Sequence, residues 1–214
     1  IKGVLVITVK RFNAYEFWLS LGEMKKEGVP FHVLSTDEII FDEVSGKRAK
    51  VNETIQQFNV QDASKYEGLL VIGGVWTDVR FLWYDPKTQA IVKAAASSPN
   101  IRCLSSICTG VPVLRAFLKG RKVSYFRLKA ATEILKQAGA ILSLTGMSVD
   151  LDKTPAVVTC ENRIFTESAA DYICKLVKGE PVQPYDIGEH NIGLFRRPAG
   201  RRPNREIMRI KGQK

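Results

Sequence analysis

The chemistry on offer in this chain begins with a cysteine at a corner. Ile101 to Ile107 is an apolar, strand-like run that meets Cys108-Thr109-Gly110 and then changes to helical spacing from Val111 to Leu118. A sharp strand-to-helix turn lifts the Cys108 side chain off the sheet edge. The first N–H groups of the following helix, with its positive dipole end, favour the thiolate. Gly110 supplies the small neighbour that such a turn needs. A thiolate attacks electrophilic carbon, so the expected chemistry is nucleophilic catalysis. The competing reading is a buried core residue, the usual fate of a free cysteine in an apolar strand.

Two other strand ends carry residues that suit such a nucleophile. Lys2 to Val9 leads through Phe12 to Tyr15 and places Glu16 in the first turn of a helix, Ala14 to Glu27, that stops at Gly28. Tyr66 to Ile72 runs into Gly73-Gly74, where no side chain blocks close approach of a ligand to the backbone. Glu16 would shuttle the thiol proton, and the N–H groups of Gly74 and Thr109 would hold developing negative charge. Each has a plainer reading: Glu16 complements the helix dipole, for about 0.3–1 kcal/mol, and the glycine pair is a turn.

What brings such ends together is a parallel sheet, and the rest of the chain predicts one. Strand, helix and strand follow one another in the first 35 residues, with Phe31 to Ser35 as the second strand. Ile39 to Val44 and Arg48 to Ile55 suit an appended hairpin. Pro86 to Ala96 is the crossover helix into the Cys108 strand, with proline in its first turn. Lys122 to Tyr125, Ala140 to Leu144, Ser148 to Leu151, Ala156 to Thr159 and Ile164 to Thr166 read as short strands. Leu128 to Ala138 and Ala169 to Lys178 read as helices. The expected fold class is α/β, a flavodoxin-like three-layer sandwich with a mostly parallel central sheet. Its crevice opens at the carboxyl ends of the strands.

With 214 residues, the chain is expected to form one domain, 1–180, followed by a basic Pro/Arg-containing extension, 181–214. The net charge of +10 is concentrated there: from Leu194 onward eight Lys/Arg stand against the single acid Glu206. Such a tail either contacts nucleic acid or an acidic partner, or is a solvated extension. No apolar run approaches a membrane span and no signal-peptide pattern is present, so a soluble cytoplasmic protein without a membrane partner is expected. Cys103, Cys108, Cys160 and Cys174 lack paired spacing, and only His32 and His190 join them as potential ligands. No metal site and no redox cofactor are expected.

The combination of Phe12 to Glu16, Gly68-Leu-Leu-Val-Ile-Gly-Gly74, Ser105-Ser-Ile-Cys-Thr-Gly110 and Leu118-Lys-Gly-Arg-Lys-Val123 resembles the ThiJ/PfpI superfamily. That superfamily has the class I glutamine-amidotransferase-like fold. Arg163 to Ser168 and its helix resemble the closing strand and helix, so the likeness spans residues 2 to 179. It implies that Cys108 is the reactive cysteine, Glu16 its acidic partner, and Gly74 and Thr109 the oxyanion donors. It also implies a homodimer. Protease-like and glyoxalase-like members often carry His directly after the cysteine or near Ser124-Tyr125-Phe126. This chain has Thr109 in the first place and no His in the second, so a peptidase would lack its general base. The Cys-Thr-Gly form is similar to the branch holding isonitrile hydratases and ligand-sensing domains, which often use Asp where Glu16 stands.

The leading expectation is a cofactor-independent hydrolase or lyase acting on a small-molecule electrophile, glyoxalase- or deglycase-like or isonitrile-hydratase-like. A second is a redox sensor or chaperone in which Cys108 is oxidised to a sulfinate held by Glu16. A third gives the basic tail the main part, as a nucleic-acid tether. Trp18, Trp76, Trp83 and Tyr84 are large residues expected near the crevice mouth, either as pocket lining or as core.

Overall fold

A computed structural model describes residues 2–185. His190 and the basic segment from Leu194, with the nucleic-acid contact expected of it, lie outside the described residues. In chain order, β1 (Val4–Ile7), β2 (Arg11–Phe12), helix α1 (Ala14–Lys26) and β3 (Phe31–Ser35) come first. β4 (Ile39–Asp42), β5 (Arg48–Lys50) and β6 (Glu53–Thr54) follow, and a 3-10 segment, Val60–Lys65, leads to β7 (Gly68–Val71). Helices α2 (Trp76–Tyr84) and α3 (Pro86–Ala96) cross to β8 (Cys103–Ile107), which runs into a second 3-10 segment, Cys108–Phe117. β9 (Lys122–Val123), α4 (Lys129–Gln137), β10 (Ile141–Leu142), β11 (Met147–Asp150) and β12 (Ala156–Cys160) come next. A 3-10 turn, Arg163–Phe165, and α5 (Thr166–Lys178) complete the elements.

Seven strands in the order β11-β12-β8-β7-β1-β3-β6 make the central sheet, parallel except for the antiparallel β11–β12 pair. β1, β7 and β8 are buried along their whole length, which is why they read as near-continuous apolar runs and not as alternation. The two serines of β8 keep that burial satisfied: Ser105 donates to the Leu69 carbonyl at 2.7 Å and Ser106 to Val71 at 3.0 Å. Alternate residues face opposite layers. Leu5 and Ile7 join Val79, Leu82, Ile91 and Leu135 of α2, α3 and α4. Val4 and Val6 join Phe17, Leu21, Ile173 and Val177 of α1 and α5. The three-layer α/β sandwich is the expected one.

Several local expectations are corrected. The region 39–55 does not form one hairpin: β4 and β5 pair antiparallel beside β2, while β6 leaves them to extend the main sheet alongside β3. Ile164 to Thr166 is not a strand, because the Asn162 side chain accepts the Ile164 N–H at 2.9 Å and winds the chain into a turn. Trp76–Tyr84 is a helix that the sequence pattern does not announce. The segment after Cys108 is 3-10 and not α-helical. Residues 109–114 are buried all round, so no amphipathic period is available, and Pro112 lacks an N–H to donate.

Topology sets the crevice. From β1 the sheet grows outward through β3 to β6, then resumes on the other side of β1 with β7, β8 and β12. The reversal lies between β1 and β7, and the carboxyl ends of β1, β7 and β8 meet there.

Candidate functional site

Cys108 leaves β8 with φ 60, the one positive φ outside glycine among the described residues. A left-handed backbone in a residue bearing a Cβ costs about 1–2 kcal/mol and is held only where surroundings demand it. Three contacts demand it here. The Phe126 N–H donates to the Cys108 carbonyl at 3.3 Å, and the buried Trp83 indole donates to the Thr109 carbonyl at 3.0 Å. Gly110 packs so closely that a Cβ there would stand 2.8 Å from Ser106 Oγ and 3.0 Å from the Val71 carbonyl oxygen.

Glu16 reaches the same place from α1. Asn13 caps that helix by accepting the Glu16 N–H at 3.2 Å, which sets the first turn and aims the carboxyl inward, where the residue is 1% exposed. Gly73 is the meeting point. A Cβ built on it would lie 2.9 Å from Thr109 Oγ1, 3.1 Å from Cys108 Cβ and 3.1 Å from Glu16 Oε2. Only glycine lets the Cys108 side chain, the Glu16 carboxyl and the Thr109 hydroxyl converge this closely, and the point where they meet is a niche a Cβ would fill. Buried Glu16 Oε2 and Thr109 Oγ1 have no hydrogen-bond partner.

Gly74 stands one step outside. It bridges Phe12 antiparallel, and the bonds on either side run from the Asn13 N–H to the Gly73 carbonyl at 3.4 Å and from the Val75 N–H to the Arg11 carbonyl at 2.9 Å. The Gly74 N–H is therefore not used by the bridge. Its α-carbon faces the Arg11 carbonyl and Phe12, not the thiol. The structure thus brings Cys108, Glu16 and Thr109 together with Gly73, the neighbour of the expected Gly74.

Burial dominates the electrostatics. It pushes the Glu16 carboxyl up to about 8, against a smaller lowering by contact with the Cys108 thiol; the Glu43 charge adds to the rise. Burial also raises the Cys108 thiol, with the Glu16 charge second, and the Thr109 N–H and hydroxyl oppose them by favouring the thiolate. The expected helix-dipole activation of a free thiolate is corrected: the following segment is 3-10, and desolvation beside a carboxyl outweighs its donors. Burial instead favours the protonated form of both groups.

Sequence reasoning missed Gly73 as the niche, Asn13 and Trp83 as positioning residues, and Glu43, whose carboxylate accepts from the Asn13 amide at 3.2 Å. The tandem glycines were the available signal for Gly73, and Asn13 directly before the helical run was one for the cap; Trp83 and Glu43 leave none. Of the aromatic residues expected at the mouth, Trp83 is core, with Trp76 edge-on to it at 4.9 Å between ring centroids. Tyr84 is exposed beneath Arg115, and Trp18 lies beneath Lys47. His32 stays at β3, 3.5 Å from Glu53. Among the described residues no helix is long and apolar enough to cross a membrane.

Comparison with known proteins gives the same architecture a family. An uncharacterized protein of Methanocaldococcus jannaschii is 29% identical over 151 residues, covering 70% of this chain and 71% of that protein. The crystal structure of a ThiJ/PfpI domain protein from Brachyspira murdochii is similar with a TM-score of 0.70 at 16% identity, over 83% of this chain and 97% of the other. The putative protease I from Bacteroides thetaiotaomicron follows at 0.68 and 16%, over 83% and 99%. DJ-1beta of Drosophila melanogaster gives 0.67 and 13%, over 84% and 92%. At these identities the structures speak for the fold alone. The family assignment comes from residues 2–178, which match the DJ-1/PfpI family along the stretch that builds the sheet and the niche, so the chain belongs to that family.

Proposed function

We propose that this chain is a cofactor-independent, cysteine-dependent enzyme of hydrolase or lyase type, acting on a small electrophilic carbon such as an α-oxoaldehyde or an isonitrile. The observation that carries the reading is the Gly73 niche. Around it the Cys108 side chain, the Glu16 carboxyl and the Thr109 hydroxyl converge to within 2.9 to 3.1 Å of where a Gly73 Cβ would stand, and the carboxyl and the hydroxyl each hold an unpartnered oxygen. In the reaction the Cys108 proton passes to Glu16 as sulfur bonds to carbon. With an α-oxoaldehyde, the substrate oxygen takes negative charge against the Gly74 and Thr109 N–H groups and receives the proton back from Glu16, giving a hemithioacetal. Glu16 then moves a proton from the former aldehyde carbon to the adjacent carbonyl carbon. The resulting thioester is cleaved by water to a hydroxy acid and free thiol. With an isonitrile, sulfur and proton both add to the terminal carbon, and water releases an N-substituted formamide.

The test is turnover of methylglyoxal and of a simple alkyl isonitrile by wild type and by Cys108→Ala. Turnover of either that is lost at least a hundredfold in the variant supports the reading. If wild type does no better than the variant on both, those two reactions are excluded.

A further inference from the structure

Cys160 ends β12 directly opposite Ile107 of β8, and Cys108 is the next residue after Ile107. Neighbouring strands lie about 4.8 Å apart and consecutive Cα atoms about 3.8 Å, so the two cysteines' Cα atoms stand about 6 Å from one another. A disulfide needs roughly 4.4–6.8 Å. The side chains share a face as well: Ile107 and Cys160 belong to the α1/α5 layer of the core, and Cys108 packs against that layer. Only Cys108 is partly exposed, while Cys160 is 0% exposed.

We propose that Cys160 is the resolving cysteine for Cys108, so that a hydroperoxide converts this pair to an intramolecular disulfide. The hydroperoxide reaches Cys108 and transfers one oxygen, leaving as water or alcohol, and the thiol becomes a sulfenic acid. Cys160 sulfur then bonds to Cys108 sulfur. The sulfenic hydroxyl departs with the Cys160 proton as water, and the net change is two thiols oxidised by one peroxide. The burial that shields Cys160 from solvent keeps it a thiol until its neighbour is oxidised, and the Glu16 charge beside both sulfurs acts in the same direction. A disulfide closes the niche reversibly and diverts Cys108 from the sulfinate it reaches when no second thiol is at hand. This inference does not depend on which electrophile the site turns over, or on whether it turns one over at all.

The experiment is peroxide treatment of the full chain, with intact mass and non-reducing peptide mapping, in wild type and in Cys160→Ser. Wild type is expected to lose two hydrogen masses, to yield a cross-linked pair of peptides carrying Cys108 and Cys160, and to recover fully with a dithiol reductant. The serine variant is expected to gain one and then two oxygens on Cys108, not recovered by the reductant once two are present. Because the wild-type peptide map stands alone, the inference does not require the variant to fold. Oxygen gain at Cys108 of wild type without the cross-link overturns it, as does a cross-link to Cys103 or Cys174. An unmodified Cys108 overturns it too, and none of these results touches the turnover assay.

Discussion

Glu16 decides how the site answers to pH. Its carboxyl must be ionised to take the thiol proton, and burial holds it near 8, so kcat/KM should climb as pH rises through about 8 and level off above. Glu16→Gln removes the acceptor, and both the rate and the inflection should go with it. The same shift has a stability consequence of opposite sense. A carboxyl raised from 4.5 to about 8 by folding binds its proton more tightly in the folded state. Its contribution is full below pH 4.5 and is lost as pH rises toward 8, by about 5 kcal/mol at most. Urea unfolding of wild type and Glu16→Gln across that window should therefore show wild type losing ground to the variant with rising pH. Parallel curves would mean that the carboxyl is ionised in the fold.

Turns and strand ends place these side chains, and here the sequence was an uneven guide. β1, β7 and β8 were legible because burial on both faces leaves unbroken apolar runs, and α1 because Asn13, Lys25, Lys26 and Gly28 mark its ends. Cys108 and Glu16 were legible as strand-end residues for that reason. α2 was not, because Trp76, Phe81 and Tyr84 break any one-sided apolar stripe and Val75 offers no side-chain cap. Gly73 and Gly74 were not separable, since which α-carbon faces the thiol depends on how the chain leaves β7 to meet Phe12, a tertiary contact. A substitution separates them. Gly73→Ala puts a methyl group into the niche about 3 Å from three side chains. It should cut Cys108 alkylation by a small reagent at least tenfold while the far-UV spectrum stays that of wild type. Unchanged alkylation would place the reactive space elsewhere.

The helix that delivers Glu16 also presents the molecule's most suggestive outer surface. Tyr15, Trp18 and Leu19 are 53%, 36% and 38% exposed at positions i, i+3 and i+4, one stripe on the outside of α1. Gly22 continues the stripe a turn later with open space where its side chain would be, which lets another backbone approach closely. A stripe of this kind is self-complementary about a two-fold axis, so a second copy of the chain packing α1 against α1 would cover it twice over. The sequence resemblance leads us to expect a homodimer, and we propose this stripe as its contact. We expect sedimentation equilibrium of the full chain at micromolar concentration to give twice the chain mass, and Leu19→Lys to weaken association at least tenfold, about 1.4 kcal/mol. A monomeric wild type would leave the stripe without that partner. A dimer indifferent to Leu19→Lys would put the interface on another face. If the dimer forms as expected, Glu16 sits on the interface helix itself, and the first turn that aims its carboxyl at Cys108 is braced from outside by the partner. The pH inflection of the reaction should then sharpen or shift when Leu19→Lys separates the protomers, which ties the quaternary state to the proton held in the niche.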